Sequence, residues 1–419
     1  MTTRRQTFRR LMRAASAATV PLILLLLSAN PAVAAVVFSA VATGDMTENS
    51  AILWTRTADG PTQSAQPVAI ELTAQVSTDP DFAGSVLNFR GMTDGRHDGT
   101  VKFEVTGLQS HQRYYYRFVA AGGEVSPVGR FTTAAAPGQE VEIKFAFSGD
   151  ADGRFRPYPV TQDFAKLDLD YFIFLGDTIY ETASKGSPAT EDVFANRDRA
   201  LADYRRKNLE NILPVATGGF AGLKALYAAQ GNYTLFDNHE LGNRQFQSGG
   251  ASAGEPPGKG VDARDAANDV NRSGSFMNAS AGFEVLLQAY KEFEPIREQR
   301  VQAPGDARID GTQKLYFAQR WGRNSIFINV DDRSYRDIRL IKADGTDDTG
   351  LRADNPGRTM LGRTQLRWLE DTLLNAEQQK IVWKFVAISS PIDQLGADSG
   401  KSWFGGYRAE RNQLLKFIA

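Results

Sequence analysis

Five nearly continuous apolar runs dominate the second two-thirds of the chain: IKFAFSG from Ile143, DYFIFLGD from Asp170, NYTLFDN from Asn232, NSIFINVDD from Asn324 and IVWKFVAIS from Ile381. A strand that faces solvent on one side alternates apolar with polar residues, so runs without alternation predict strands buried on both faces. Helical patterns interleave with them at Val160–Leu167, Phe276–Gln299, Leu361–Ala376 and Arg408–Ile418. Strands buried on both faces and alternating with helices predict an α/β layered domain over residues 141–419.

From Val36 to Thr133 the pattern differs. SAILWTRT, VAIELTAQVS, TVKFEVTGL and YYYRFVAAG alternate in the manner of half-buried strands, and turn clusters such as DGPTQS and MTDGRHDG divide them. This spacing predicts an all-β sandwich over residues 36–133. Leu108 followed by Tyr114-Tyr115-Tyr116 is similar to the loop-to-strand corner of a fibronectin type III domain, where a tyrosine hydroxyl ties down the loop. The small, polar segment TAAAPGQE links the two regions. The Gly-, Ala- and Asp-rich stretch from Gln247 to Ser273 lacks periodicity and predicts a long surface loop.

The N-terminus predicts a leader. Arg4, Arg5, Arg9, Arg10 and Arg13 precede an apolar stretch over Ala14–Ala29, and Ala32-Val33-Ala34 supplies a small-x-small cleavage pattern. The apolar stretch is shorter than the roughly 20 residues that a bilayer span needs. Residues 1–34 are therefore expected to be an export signal, with two Arg-Arg pairs favouring the twin-arginine route, and the protein to be periplasmic or secreted without a stable membrane anchor. Export machinery is then its first partner.

The 419 residues carry 48 basic and 49 acidic side chains, and losing the leader's five arginines moves the formal charge from -1 to -6. That balance offers no footprint for nucleic acid. The absence of cysteine excludes disulfides, thiolate zinc sites, iron–sulfur clusters and cysteine nucleophiles, and with three histidines no His-rich metal site can form.

The polar residues fall where the apolar runs end. Asp150 and Asp152 follow the first; Asp177, Tyr180 and Glu181 the second; Asp237, Asn238, His239 and Glu240 the third; Asp331, Asp332 and Arg333 the fourth. Ligands of open α/β sheets bind at the carboxyl ends of strands. Each residue alone has an ordinary explanation: an aspartate there caps a helix or shapes a turn, and an arginine pairs on the surface. Together, carboxylates, an amide, a phenol and an imidazole make an oxygen-rich site suited to hard cations, and one aspartate between two cations gives a clamp for in-line displacement at phosphorus. His97 and His111 lie in turn-like sequence and are expected to be solvated.

FAFSGDADGRF, DLDYFIFLGDTIYE, YTLFDNHE, INVDDRSYRD and LGRTQLRWLEDTLLNAEQQKIVWKFVAIS, in this order, resemble the PhoD-type alkaline phosphatases of the calcineurin-like metallophosphoesterase superfamily. The resemblance spans the chain beyond the leader. It implies a four-layer αββα sandwich behind a fibronectin-like domain, a two-metal site of ferric iron with calcium, and hydrolysis of phosphate mono- and diesters by water attacking in line. Its implied metal ligands are Asp150, Asp177 as the bridge, the Tyr180 phenolate and Asn238. His239 would contact the phosphoryl group and protonate the leaving oxygen, with Asp237 and Glu240 orienting its ring and Asp152 and Asp332 in support; Arg333 would grip phosphate oxygens. Asp150 stands where many members have cysteine, an oxygen harder than thiolate, which bears on which metal binds. The family's downstream Gly-Asp-x-His segment has no counterpart before Ala419, so the sequence is expected to be a fragment. A phospholipase D-type diesterase of the same fold and a non-catalytic binder of metal or phosphate ester are the alternative readings. No oligomer signal is present, and a monomer is expected.

Overall fold

A computed structural model describes residues 36–184, 186–193, 195–214, 219–242, 276–279, 282–337, 348–393 and 402–419. The predicted leader and the stretch from Gln247 to Ser273 lie outside the described residues.

The strands, in chain order, are β1 Val37–Gly44, β2 Ser50–Ala58, β3 Glu71–Ser77, β4 Val86–Met92, β5 Thr100–Thr106, β6 Arg113–Ala120, β7 Gly129–Thr132, β8 Phe145–Ser148, β9 Tyr171–Phe174, β10 Gly231–Thr234, β11 Gln299–Arg300, β12 Gln313–Lys314, β13 Phe317–Trp321, β14 Ser325–Asn329 and β15 Trp383–Ala387. They form a six-stranded sheet in the order β5-β2-β1-β10-β9-β8, a three-stranded sheet β13-β14-β15, a four-stranded sheet β4-β3-β6-β7 and the short ribbon β11-β12.

Side chains alternate across a strand, and β9 shows what that does here. Phe172 and Phe174 pack with Leu209, Ile212, Leu226 and Tyr227 of the covering helices. Tyr171 and Ile173 point the other way, into an aromatic layer with Tyr233 of the neighbouring strand β10 and Trp321 and Phe327 of the facing sheet. On that facing sheet Ile326 and Ile328 turn outward to Leu366 and Leu369 of the helix Gly362–Gln378 and to Leu414 of the helix Arg408–Ile418. The layers are thus helix, sheet, sheet, helix, with the main core between the sheets, as expected of an α/β fold of this kind.

The N-terminal region is all-β. β3 and β6 bury alternate residues, as the sequence pattern requires, and the Tyr114 hydroxyl accepts a hydrogen bond from the Gln109 amide at 2.9 Å, fixing the corner after Leu108. Its other sheet is shared. β1 runs parallel to β10, with Gly44 opposite Asn232, so β1, β2 and β5 extend the sheet that carries β8, β9 and β10. β2 is consequently buried along its whole length, Leu53 in the inter-sheet core and Trp54 under the helices. A side chain added at Gly44 would come 2.3 Å from the Pro295 carbonyl, so this junction admits only glycine.

Three predicted helices keep their extents to within a residue or two, at Pro159–Lys166, Gly362–Gln378 and Arg408–Ile418. The helix expected over Phe276–Gln299 is shorter: a 3-10 turn at Met277–Ala279 precedes Gly282, whose φ of 89° breaks the pattern, and the helix proper runs Phe283–Phe293 and stops ahead of Pro295. Among the described residues no helix is long and apolar enough to cross a membrane.

Candidate functional site

The parallel strands β8, β9 and β10 end side by side, and their trailing loops are laced together. The Asp150 amide donates to the Gly176 carbonyl at 3.2 Å and the Ala151 amide to the Asp177 carbonyl at 2.8 Å. Asp150 and Asp177 both take the left-handed backbone conformation, with φ of 60° and 53°, which aspartate tolerates better than most residues. Gly176 is obligatory between them: its φ is 94°, and a Cβ there would lie 2.4 Å from that of Asp237.

Glu240 staples the second and third loops. Its carboxylate accepts from the amides of Asp177 (3.0 Å), Thr178 (2.6 Å) and Asp237 (3.0 Å) and from the Thr178 hydroxyl (2.8 Å). The Asp177 side chain in turn accepts from the His239 amide at 2.8 Å, and His239 Nε2 lies 3.9 Å from its second oxygen. Tyr180 stacks on the His239 ring with centroids 3.7 Å apart and donates its hydroxyl to Asp150 at 2.8 Å.

Asp150, Asp177, Tyr180, Asn238 and His239, singled out in the sequence, therefore share one end of the sheet. The acid on the imidazole was not foreseen. Glu181, not Asp237 or Glu240, faces His239 Nδ1, at 2.5 Å; Asp237 instead binds Arg333, and Glu240 holds backbone. No rule of spacing chooses among three acids that flank one histidine; Glu181 wins because it follows Tyr180 onto the buried side of the loop.

Arg333 is engaged within the protein. Its side chain is buried, and its Nε donates to Asp237 at 2.6 Å and lies 3.3 Å from the Ser389 hydroxyl, while Nη2 lies 3.5 Å from Asn238 Oδ1. Ser389 and the Ser390 amide both donate to Asp332, at 2.6 and 2.9 Å, which ties the end of β15 to that of β14. Burial opposes the Arg333 charge, but Asp237, Asp332 and Asp177 outweigh it and hold the guanidinium protonated. Arg333 thus links both sheets beside the Asn238 amide. Asp152 lies at the rim: it caps the turn Gly153–Phe155 and accepts from Arg154 Nε at 2.7 Å, which lowers its pKa against the upward pull of burial.

Carboxylates outnumber cations here, and the electrostatics register it. Burial first, then Asp237 and Glu240, raise the Asp177 pKa far above 3.8. Burial followed by Asp177 and Asp150 pushes the Tyr180 phenol well above 10. A group of acids that repel one another in a buried pocket is the setting that a bound cation relieves. In donor chemistry the site fits a hard cation: carboxylate, phenol and amide oxygens. In geometry the donors stand as pairs, Asp150 with Tyr180 and Asp177 with His239; among the described residues no three acid or imidazole side chains converge on one point to hold a metal ion.

The family model for the PhoD-like phosphatase matches residues 144–419, and that for its N-terminal domain matches residues 27–135. The chain belongs to the PhoD-like phosphatase family. Alkaline phosphatase D of Bacillus subtilis (strain 168) is 29% identical over 394 residues, 90% of this chain and 61% of that protein. A solved structure described as that of PhoD superposes with a TM-score of 0.68 at 26% identity, covering 91% of this chain and 68% of the other. The PhoD-like chain described here thus spans 61% of the length of its curated relative.

Proposed function

We propose that this chain acts as an exported, metal-dependent phosphatase on phosphate mono- and diesters. The observation that carries the reading is the arrangement of Asp150, Asp177, Tyr180, Asn238 and His239 around the ends of three adjoining parallel strands, in a PhoD-like fold. Asp150, Asp177, Tyr180 and Asn238 would hold two metal ions, for which iron with calcium is the family expectation and the all-oxygen donor set favours hard cations. Such ions supply charge for the phosphoryl oxygens and acidify a water.

The chain's own residues do the rest. A carboxylate can only accept, so Glu181 fixes the proton on His239 Nδ1 and turns Nε2 toward Asp177. A protonated Nε2 there can donate to the departing ester oxygen as general acid. Tyr180, stacked on the ring, limits its tilt. Arg333 and Asp237 hold the loop that bears Asn238 and His239, so neither must reorganise during reaction.

The test compares 4-nitrophenyl phosphate with bis(4-nitrophenyl) phosphate, before and after chelation and after readdition of iron and calcium. Metal-restored hydrolysis that Asp177→Asn abolishes supports the reading; full turnover by Asp177→Asn after exhaustive chelation overturns it. A second reading, a binder of metal or phosphate ester without turnover, is favoured by the pairwise arrangement of the acids. It predicts saturable binding of inorganic phosphate with no hydrolysis of either ester. A phospholipid substrate distinguishes the diesterase variant of the first reading.

A further inference from the structure

The helix Arg197–Ile212 grips the loop that carries Tyr180 and Glu181 at both of its ends. Asn211 Nδ2 donates to the Thr178 carbonyl at 2.6 Å, and Asp203 accepts from the Glu191 amide at 2.7 Å. Between these two contacts the fully buried Lys207 donates from Nζ to the Thr182 carbonyl at 2.9 Å and to the Ser187 hydroxyl at 2.7 Å. Thr182 directly follows Glu181. The Glu181 carboxylate is itself buried; Oε2 meets His239 Nδ1, and Oε1 has no hydrogen-bond partner among the described residues.

A neutral donor would serve a carbonyl and a hydroxyl equally well, and burying an ammonium on such partners works against folding. The charge of Lys207 therefore calls for its own account. Glu210 attracts it first, but that carboxylate is already taken: Arg156 holds one oxygen at 2.9 Å, and Arg206 and Ser187 hold the other, each at 2.7 Å. Arg206 has a second acid in Asp203, at 3.4 Å. The next acid to attract Lys207 is Glu181, while burial and the neighbouring Arg206 and Arg156 bring its pKa down to about 8, which leaves it charged at neutral pH. Lys207 is thus tied to Glu181 twice, by a hydrogen bond to the next residue's backbone and by charge.

We propose that Lys207 is a positioning residue for the proton transfer assigned to His239, its ammonium anchoring the loop at Thr182 and seating the Glu181 carboxylate on Nδ1. The inference rests on the phosphatase reading of the site, and a double-mutant cycle with a separate spectroscopic readout tests the two apart. Lys207→Gln keeps a donor for Thr182 and removes the charge; Lys207→Met removes both. In either variant kcat for 4-nitrophenyl phosphate should fall about tenfold with KM within about twofold, because the contact strengthens as charge develops on the ring. In a Glu181→Gln background the same Lys207 substitutions should change kcat by less than about twofold, since the carboxylate they unseat is gone. The second readout is the His239 Nδ1 proton in the full chain after chelation, so that no paramagnetic ion broadens it; it should move upfield in Lys207→Gln. An equal loss of kcat in both backgrounds, an unchanged kcat in folded Lys207→Gln and Lys207→Met, or an unmoved proton would overturn the proposal; the thermal transition of each variant shows that it is folded. If the native chain hydrolyses neither ester, the phosphatase reading falls and the proton alone decides: an upfield shift keeps the seating of Glu181 by Lys207, and an unmoved proton removes it.

Discussion

At His239 the proposed role in proton transfer turns on one contact. Glu181 lies 2.5 Å from Nδ1, and an acid in that place both sets the tautomer and stabilises the imidazolium. Glu181→Gln keeps the shape and removes the charge. Turnover of a phosphate ester is expected to fall by about 10²–10⁴-fold in kcat with KM little changed, since the interaction strengthens only as charge develops. A second readout is independent of activity: the Nδ1 proton, held in so short a contact, should resonate far downfield in the native protein and move upfield in the variant. An unchanged kcat together with an unchanged proton spectrum would remove Glu181 from the mechanism.

Asp45 allows a residue-scale test away from the site. Burial raises its pKa from 3.8 to about 6 despite the Arg297 amide, and Oδ1 has no hydrogen-bond partner. A carboxyl that holds its proton more tightly when folded contributes stability below pH 3.8 that is lost as the pH rises through about 6. Asp45→Asn removes the titration, keeps an oxygen for the Arg297 amide and suits the left-handed backbone at φ 46°. Urea titrations should find the variant more stable at pH 7 by roughly 1–3 kcal/mol, with a shallower loss of stability between pH 4 and 6 than the native chain, since Asp331, also raised to about 6, still titrates there. A native chain that gains stability over that interval would contradict the assignment.

At the scale of elements, the site is held by a side chain whose carboxylate is given over to the loops themselves. Glu240 satisfies four donors on two loops. Glu240→Ala strands three buried amides and is expected to cost about 2–5 kcal/mol, read from the urea midpoint, with Glu240→Gln in between because it returns one acceptor. No loss in either variant would mean that water takes over the staple. This scale also shows what could be read from sequence. The runs around Phe172 and Phe327 announced doubly buried strands because apolar side chains must point both ways. The residues that end them could be named for the same reason, since a polar group straight after a buried strand has only the sheet edge to occupy. The helix Arg197–Ile212 gave no such signal. Its buried face includes Lys207, Glu210 and Asn211; Arg156 pairs with Glu210 at 2.9 Å and Lys207 donates to the Ser187 hydroxyl at 2.7 Å. A helix that buries an ion network looks solvent-exposed in sequence, because the partners that make burial tolerable come from distant loops.

At the scale of the molecule, the sequence read as a β-sandwich linked to a layered domain, and the structure makes one sheet run through both. The pairing of β1 with β10 joins residues nearly two hundred apart, and no local pattern encodes a partner at that range. β2 gave a misleading signal, because its alternation suggests one solvated face, yet Thr55 and Arg56 are buried, Arg56 by its ion pair with Asp98 at 2.8 Å. The junction is polar and apolar at once. Trp54 Nε1 donates to the Glu292 carbonyl at 2.6 Å and its ring packs on Phe293; Tyr233 Oη donates to the Met46 carbonyl at 2.7 Å; Arg130 reaches the Ala229 carbonyl at 2.6 Å. Removing residues 36–133 would expose the edge of β10, deprive the Glu292 and Ala229 carbonyls and the Tyr233 hydroxyl of these partners and open the core that Ala40, Ala42 and Trp54 fill. Loss of one large core side chain costs about 3–5 kcal/mol, against a total domain stability of about 5–15 kcal/mol. Residues 141–419 produced alone should therefore lack a cooperative thermal transition and bind a hydrophobic dye, and co-production with residues 36–140 should restore the transition. A soluble 141–419 fragment that melts cooperatively would show instead that the shared sheet is dispensable and that the two regions fold as independent units. In that case β10 and the loop carrying Asn238 and His239 would draw their rigidity from β9, the Glu240 staple and the Arg333–Asp237 pair.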